Sequence, residues 1–300
     1  MSNVSGSSQS RSTCHSIKIF GDRDDRAVSY LRTGVVYASG PSRNLTMSIL
    51  SPLRLGEVCA KQHLKPLLVF AQGSGFGLQN LDLNIPQLSV IARAGFVVAS
   101  VEYRSAAEAG FPSQIADVRL ALKYLLDNAA SLGADRDRVA LFGGSSGAHT
   151  VMMVALTRDQ KEIMRLPLEP VECHFSSVIS FYAPVRFLRN NADGIGRCVP
   201  PNSELIRAFL GGDNSVMQSV AEMASPLNYI RRDLDIPPVL IVHGDEDEIV
   251  PIEDSWLLYQ ALCAAGKQAT LVEVEGGGHG RRIYTEEVES LCMKFLWAHL

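Results

Sequence analysis

The fold is decided by one stretch of the sequence, Val139–Leu156, which reads VALFGGSSGAHTVMMVAL. Its apolar start, up to Phe142, is typical of a strand that is buried on both faces. The run from Ala148 onward favours a helix, and the glycines between the two elements allow the sharp turn that a G-x-S-x-G pattern needs. Ser145 stands in that turn, where its hydroxyl would be exposed and the N-terminus of the helix would point at it. The stretch therefore predicts a strand–turn–helix unit that presents a candidate nucleophile.

Other apolar runs lie before and after this unit, separated by longer amphipathic segments. The clearest helical pattern spans Pro112–Leu132, where apolar residues recur every three or four positions. This alternation predicts an α/β fold with right-handed crossovers: a doubly wound, mostly parallel sheet of about eight strands with helices on both faces. Two later helices are expected, Asp254–Ala265 and Glu286–Leu300. The predicted strands are Leu31–Ala38, Asn44–Leu50, Leu67–Ala71, Phe96–Tyr103, Val139–Phe142, Val178–Tyr182, Val239–Val242 and Gln268–Val274.

Two segments interrupt the alternation of strands and helices. Residues 1–15 are rich in serine and lack hydrophobic periodicity, so we expect a flexible N-terminal arm. Residues 186–235 form a long stretch rich in Pro, Gly and Asn with only patchy helical patterns, which is typical of a cap or lid over a site. We therefore expect one α/β domain over residues 16–300 with a small cap insertion.

The composition excludes several classes of protein. The chain has 300 residues, of which 46% are hydrophobic and 20% charged, and this usage excludes a disordered or fibrous protein. The net charge is −4 and no dense Lys/Arg stripe is present, so no nucleic-acid partner is expected. No apolar run reaches the roughly 18–20 residues that cross a bilayer. Six scattered cysteines show no metal-ligand spacing, so neither a metal nor a disulfide framework is expected.

The compartment and the assembly state are less constrained by the sequence. The first twenty residues carry Ser, Gln and Arg where a signal peptide would have an apolar stretch, so cytoplasmic residence is the default expectation. The oligomeric state is not encoded in the composition, and a homodimer stays open.

A serine nucleophile requires a base, and the base requires an orienting acid. The best base is His279, because it lies in a glycine-rich loop, Gly276–Gly280, directly after the last predicted strand. The other histidines from the elbow onward are not expected to react: His149 and His243 should be structural, and His174 and His299 structural or solvent-exposed. The loop after His243 is crowded with carboxylates, so the residues alone leave the acid open among Asp245, Glu246, Asp247 and Glu248.

The motifs together resemble one superfamily. The elbow, the segments Glu102–Arg104 and Phe111–Val118, the H-G-x-x-D-x-x-V-P loop that starts at His243 and the terminal histidine loop stand in the order found in α/β-hydrolases. The chain is similar to their esterase branch, the hormone-sensitive-lipase-like and bacterial feruloyl or acetyl-xylan esterase-like enzymes. The likeness covers most of the chain, from Leu67 to His279.

This resemblance implies a role for each residue of the candidate site. Ser145 would be the nucleophile, Asp247 the acid and His279 the base of a serine carboxylesterase, with Asp245 as the second choice of acid. The implied substrates are small acyl or aryl esters, including esters on carbohydrates, and the reaction needs no cofactor. The two open alternatives are a compact serine peptidase or acyltransferase of the same fold and a non-catalytic binding protein, which typically lacks a triad member.

The resemblance also implies an oxyanion hole. Relatives carry H-G-G-G after the third strand, where this chain reads Gln72-Gly73-Ser74-Gly75. The implied donors are the backbone N–H groups of Ser74, Gly75 and Ser146. Gln72 departs from the family pattern, and we expect its amide to hold the loop by hydrogen bonds in place of the histidine.

Overall fold

The strands of the computed structural model follow the predicted apolar runs. The structure describes residues 28–40, 43–53, 64–160, 163, 173–190, 196–198, 204–212 and 214–300. The strands are β1 Val28–Ser39, β2 Asn44–Leu53, β3 Lys65–Ala71, β4 Val97–Val101, β5 Ala134–Gly144, β6 Phe175–Phe181, β7 Leu188–Asn190, β8 Gly196–Cys198, β9 Val239–Gly244 and β10 Ala269–Val274. The helices are α1 Ile85–Arg93, α2 Ser113–Asp127, α3 Ala129–Leu132, α4 Ser146–Leu156, α5 Glu204–Phe209, α6 Asn214–Met223, α7 Ile252–Ala264 and α8 Glu286–Ala298.

In the described part of the chain, eight strands form one sheet in the order β1-β2-β4-β3-β5-β6-β9-β10. The β1–β2 and β2–β4 pairs are antiparallel, whereas every pair from β4 to β10 is parallel. A short separate ladder pairs β7 with β8. The prediction of a doubly wound, mostly parallel sheet of about eight strands is therefore confirmed.

Helices cover both faces of this sheet. Side chains of α2, α4 and α7 join one buried apolar cluster, and side chains of α1 and α8 join a second cluster on the opposite face. The central strands have apolar side chains on both faces, and Leu67 to Ala71 in β3 are all buried. This two-sided burial explains why the central strands read as continuous apolar runs. Among the described residues, none of the helices is both long and apolar enough to cross a bilayer.

The carboxyl ends of the parallel strands place the candidate residues along one edge of the sheet. Ser145 follows β5, and the loop that starts at Gln72 follows β3. Asp247 lies just beyond the end of β9, and His279 lies beyond β10. Tyr182 follows β6, between the strands that carry the nucleophile and the acid. Parallel pairing alone therefore brings residues from positions 72 to 279 to a common edge.

Two local predictions differ from the structure. The helix predicted over Pro112–Leu132 is divided at Asn128, where the backbone amide and the side-chain amide both donate to the carbonyl of Tyr124, at 3.1 and 2.8 Å. Helix α1 was not predicted; its signals are a proline near its start and buried residues at three- and four-residue spacing.

The interrupted stretch over residues 186–235 contains short elements in its described parts. These are β7, β8, α5, α6 and a 3₁₀ turn, Pro226–Tyr229. Helices α5 and α6 contribute to a third, smaller apolar cluster that also includes Phe76 from the loop after β3. The expected N-terminal arm, residues 1–15, lies outside the described residues.

Candidate active site

The turn at Ser145 is strained in the way that a strand-to-helix elbow requires. Its φ of 53° and ψ of −126° are unusual for a residue with a side chain. The turn fits only because its neighbours lack side chains: a Cβ on Gly147 would lie 2.1 Å from the carbonyl oxygen of Ala71. Two backbone bonds hold the turn, from the Ser145 amide to Phe181 and from the His149 amide to Ser145. The hydroxyl of Ser145 is thus held above the first turn of α4.

The three residues expected to form a triad come together. His279 Nε2 lies 2.9 Å from Ser145 Oγ, and His279 Nδ1 lies 2.8 Å from Asp247 Oδ2. An ionised carboxylate only accepts hydrogen bonds, so Nδ1 carries the proton and Nε2 is free to accept the proton of Ser145. The Asp247 side chain is fully buried, while that of His279 is 17% exposed. The imidazole therefore bridges a buried charge and a solvent-accessible hydroxyl.

Asp247 is held by four hydrogen bonds. Its Oδ1 accepts from the amides of Ile249 at 2.8 Å and Val250 at 2.9 Å. Its Oδ2 faces Nε2 of His243 at 3.1 Å as well as His279. Burial raises the pKa of this carboxyl, but the bonds from the two imidazoles and from Val250, together with the charge of His279, outweigh it and hold the pKa below the usual range. Asp247 is therefore ionised over the whole neutral range.

His243 has a single consistent tautomer. Its Nε2 faces two acceptors, Asp247 Oδ2 and the carbonyl oxygen of Val250 at 2.9 Å, so Nε2 carries the proton. Its Nδ1 then accepts from the hydroxyl of Ser255 at 2.6 Å. His243 is fully buried and does not contact Ser145. Its structural role agrees with the expectation, and its bond to the acid was not foreseen.

The loops that carry the acid and the base are interlocked. The Glu246 amide donates to the carbonyl of Gly277 at 2.8 Å, and the Gly276 amide donates to Asp245 Oδ1 at 2.7 Å. A Cβ on Gly244 would lie 2.2 Å from the carbonyl oxygen of Gly277, so the two backbones touch. Asp245, the second choice of acid, therefore serves this loop contact and makes no bond to His279.

The loop after β3 differs in one respect from the expected oxyanion hole. The Ser74 amide, an expected donor, instead donates to Ser146 Oγ at 2.9 Å. The amides of Gly75 and Ser146 have no acceptor among the described residues. A protein hydroxyl accepts the Ser74 N–H in this structure, so the role of Ser74 as an oxyanion donor stays a prediction.

Gln72 holds this loop as expected. Its Nε2 donates to Asn84 Oδ1 at 3.0 Å, and its Oε1 accepts from the Asn80 amide at 2.7 Å. The side chain is buried and connects the oxyanion loop to the start of α1. The glutamine thus makes the loop contacts expected of it.

Ser145 and His279 open into a cavity of about 520 Å³. Most of its lining is apolar, and Ile206 of α5 contributes to it, so the 186–235 stretch reaches the site. Sequence reasoning missed two tyrosines here. The ring of Tyr182 packs edge-on against His279 at 4.6 Å between ring centres, and its hydroxyl lies 3.1 Å from that of Tyr284. The apolar side chains around the cavity include Phe70, Phe76, Leu83, Ile206 and Ile249.

Asp117 and His149, two further polar residues, have structural roles. Asp117 is buried, and its carboxylate accepts hydrogen bonds from three groups of Arg104: the backbone amide, Nε and Nη2. His149 donates to the carbonyl of Ala224 at 2.7 Å and lies among the rings of the third apolar cluster. No group of three or more His, Cys, Asp or Glu side chains in the described ranges could hold a metal ion.

Fold and site together define an α/β-hydrolase: a parallel sheet with a serine elbow after β5 and a histidine loop after the last strand. A family model described as BD-FAE matches residues 58–262, more than half of the chain. The chain belongs to the BD-FAE family, and its resemblance to esterases of this superfamily is confirmed.

Proteins with esterase names are similar to this chain in sequence. Esterase LipC of Mycobacterium tuberculosis is 26% identical over 222 residues, which cover 72% of this chain and 53% of LipC. Isoprenylcysteine alpha-carbonyl methylesterase ICME of Arabidopsis thaliana is 22% identical over 279 residues, covering 89% of this chain and 62% of ICME. The chain spans about half of LipC and 41% of esterase LipQ from the same bacterium.

Solved structures of esterases share the fold over nearly the whole chain. A truncated carbohydrate esterase from gut microbiota has a TM-score of 0.75 and 25% identity, and the match covers 93% of this chain and 98% of the esterase. Esterase Est2 of Thermogutta terrifontis has a TM-score of 0.69 and 23% identity, with 91% and 92% covered.

Proposed function

We propose that this protein is a serine carboxylic-ester hydrolase that works through an acyl-enzyme. The observation that carries the proposal is the continuous line of hydrogen bonds from Ser145 through His279 to Asp247, at 2.9 and 2.8 Å. Its order of nucleophile, base and acid matches the geometry that serine hydrolases use. The esterase names of the relatives support the same reaction class.

In the first half of the reaction, His279 Nε2 takes the proton of Ser145 as Oγ attacks the ester carbonyl carbon. The electron pair of the carbonyl moves to its oxygen, and the amides of Gly75 and Ser146 stabilise that oxyanion. The bond to the alkoxy group then breaks, and the leaving alcohol takes the proton from Nε2. Asp247 holds the tautomer of His279 and stabilises the imidazolium between the two transfers.

In the second half, a water molecule replaces the alcohol. His279 Nε2 takes a proton from this water as its oxygen attacks the acyl carbon, and the same oxyanion hole stabilises the second tetrahedral intermediate. The bond to Ser145 Oγ then breaks, and Oγ recovers its proton from Nε2. The net reaction consumes one ester and one water molecule and yields one carboxylic acid and one alcohol.

The cavity supports small acyl or aryl esters as substrates. Its volume of about 520 Å³ and mostly apolar lining suit an acyl or aryl group better than a charged one. The carbohydrate esterase among the structural neighbours extends the proposal to acyl groups on sugars.

We also propose that the protein works in a reducing, cytoplasmic compartment. Free thiols at Cys173, Cys263 and Cys292 support this proposal.

The test compares the wild type with Ser145→Ala on p-nitrophenyl esters of increasing chain length, acetylated xylan, feruloyl esters and aminoacyl-anilides. We expect turnover of short or aryl esters, and loss of at least about 10³-fold in kcat for the variant, because the nucleophile is removed. Mass spectrometry after organophosphate treatment should place the adduct on Ser145.

Three outcomes would contradict the proposal. Near-normal turnover by Ser145→Ala would exclude this nucleophile. Activity on anilides alone would favour a peptidase. Absence of both turnover and adduct in the wild type would favour a binding protein.

A further inference from the structure

The side chain of Ser146 lies in a short line of hydrogen bonds beside the proposed oxyanion hole. Its Oγ accepts from the Ser74 amide at 2.9 Å and lies 3.2 Å from the hydroxyl of Tyr103. The hydroxyl of Tyr103 donates to the carbonyl oxygen of Gln72 at 2.6 Å. Ser146 and Tyr103 are both buried, at 1% and 0% exposure, so the contact between their two hydroxyls is shielded from water.

Counting protons fixes the direction of every bond in this line. Tyr103 has one proton, and the carbonyl oxygen of Gln72 can only accept, so that proton is used there. Across the next contact, Ser146 must then donate its own proton to the Tyr103 oxygen. The line therefore runs from the Ser74 amide through Ser146 and Tyr103 to Gln72, and both ends lie on the same loop.

We propose that Ser146 and Tyr103 form a clamp that positions the oxyanion loop, and that Ser146 is a positioning residue through its side chain. The inference rests on the proposed function, because the loop it holds carries the Gly75 donor. The clamp fixes the loop at two residues, Gln72 and Ser74, on the N-terminal side of that donor.

The loop needs such a clamp because of its own sequence. Gly73 and Gly75 give its backbone unusual freedom, and Gly75 has a φ of 59°. A donor contributes most to catalysis when it is already aimed at the oxyanion before the reaction starts. Ser146 thus contributes in two ways: its backbone N–H faces the oxyanion, and its hydroxyl orders the second donor.

The clamp also changes the make-up of the hole. The Ser74 N–H is directed to Ser146 Oγ, so two amides, those of Gly75 and Ser146, remain for the oxyanion. A residue without a hydroxyl at position 146 would leave the Ser74 N–H without this acceptor. The Ser74 N–H is therefore the most direct reporter of the clamp.

The test uses Ser146→Ala, Tyr103→Phe and the double variant in the full chain. Ser146→Ala keeps the backbone donor and removes only the hydroxyl. We expect kcat for a p-nitrophenyl ester to fall about tenfold with KM within about twofold, less than the loss of a whole oxyanion donor. The double variant should lose no more than the larger single loss, because both changes break one clamp.

Two further measurements separate a positioning role from a general loss of stability. Hydrogen exchange of the Ser74 amide, followed by NMR, should be at least about tenfold faster in Ser146→Ala than in the wild type. Ser177→Ala is the matched control, because Ser177 is buried and its hydroxyl has no partner in the described part of the chain. We expect unchanged kcat and unchanged Ser74 exchange in that control.

Several results would overturn the inference. Unchanged Ser74 exchange in Ser146→Ala would exclude the clamp, and an unchanged or increased kcat would exclude its positioning role. Fully additive losses in the double variant would show two independent effects. If the wild type hydrolyses no ester and Ser145 forms no organophosphate adduct, the proposed function is wrong, and so is the catalytic part of this inference. Each of the earlier results contradicts the clamp alone and leaves the proposed function intact.

Discussion

Replacing Asp247 by asparagine should disable the site while changing its shape very little. The carboxylate accepts two backbone bonds on Oδ1 and faces two imidazole N–H groups on Oδ2. An asparagine can place its oxygen toward only one of these pairs. If the oxygen keeps the two backbone bonds, the NH₂ group faces the N–H groups of His243 and His279. If the oxygen faces the imidazoles, the NH₂ group faces the two backbone N–H groups, so two donors are opposed in either case.

The size of the effect follows from the tautomer of His279. When the asparagine NH₂ faces Nδ1, the stable arrangement has the imidazole proton on Nε2, and Nε2 then cannot accept the proton of Ser145. The same wrong-tautomer effect in serine hydrolases lowers kcat about 10⁴-fold, which corresponds to about 5 kcal/mol of lost transition-state stabilisation. KM should change little, because Asp247 does not line the cavity.

The assay is steady-state hydrolysis of a p-nitrophenyl ester by the wild type, Asp247→Asn and a matched control, Asp245→Asn. Asp245 carries the same charge two residues away, but it bonds the Gly276 amide through an oxygen that asparagine retains. We expect the control to keep kcat within about threefold, because asparagine can still accept the bond from the Gly276 amide and Asp245 makes no bond to His279. The reasoning is refuted if Asp247→Asn keeps more than a tenth of the wild-type kcat, or if Asp245→Asn loses as much.

Two further predictions concern stability and the elbow. Burial lowers the pKa of His149 to about 4 despite its bond to Ala224, so the free energy of unfolding should fall by up to about 3 kcal/mol as the pH drops from about 6.5 to about 4. Urea unfolding across this range should show a smaller pH dependence in His149→Gln, which does not titrate; equal dependence in both proteins contradicts the prediction. Gly147→Ala should lower kcat at least about 100-fold, because its Cβ would lie 2.1 Å from the carbonyl oxygen of Ala71 and displace the elbow. Gly266→Ala adds a Cβ at a glycine whose φ is +71° and where no non-neighbouring atom of the described residues lies within 4 Å, so it should cost about 1–2 kcal/mol of stability and leave kcat unchanged. A similar kcat in the Gly147→Ala and Gly266→Ala variants counts against the steric argument.

The sheet, and the edge of it at which Ser145 and His279 meet, could be predicted because both follow from local patterns of strands and turns. Fully buried strands such as β3 are continuous apolar runs, and the glycines around Ser145 mark the turn. Once the strands are parallel, the loops that follow them share an edge, so Ser145 and His279 were placed together correctly. The choice of Asp247 over its neighbours needed a family resemblance, because four adjacent carboxylates have the same local pattern.

The missed features depend on particular side-chain contacts, two of them between residues far apart in the sequence. The break at Asn128 coincides with a bond from its side-chain amide to the carbonyl of Tyr124, and propensity alone does not specify such a bond. The acceptor of the Ser74 amide is a hydroxyl 72 positions later in the sequence, which no spacing rule anticipates. Tyr182 packs against His279 although it has no motif of its own. Polar partners inside a site are set by tertiary geometry, so sequence patterns predict the residues better than their bonds.

The bare-backbone contact between Gly244 and Gly277 has a consequence for protein engineering. Any side chain at Gly244 would collide with the neighbouring loop, since its first carbon would lie 2.2 Å from the Gly277 oxygen. The segments 243–251 and 275–281 should therefore be exchanged together when parts of this protein are combined with those of a relative. A chimaera that took these two segments from different parents would keep every reactive group and still misalign them.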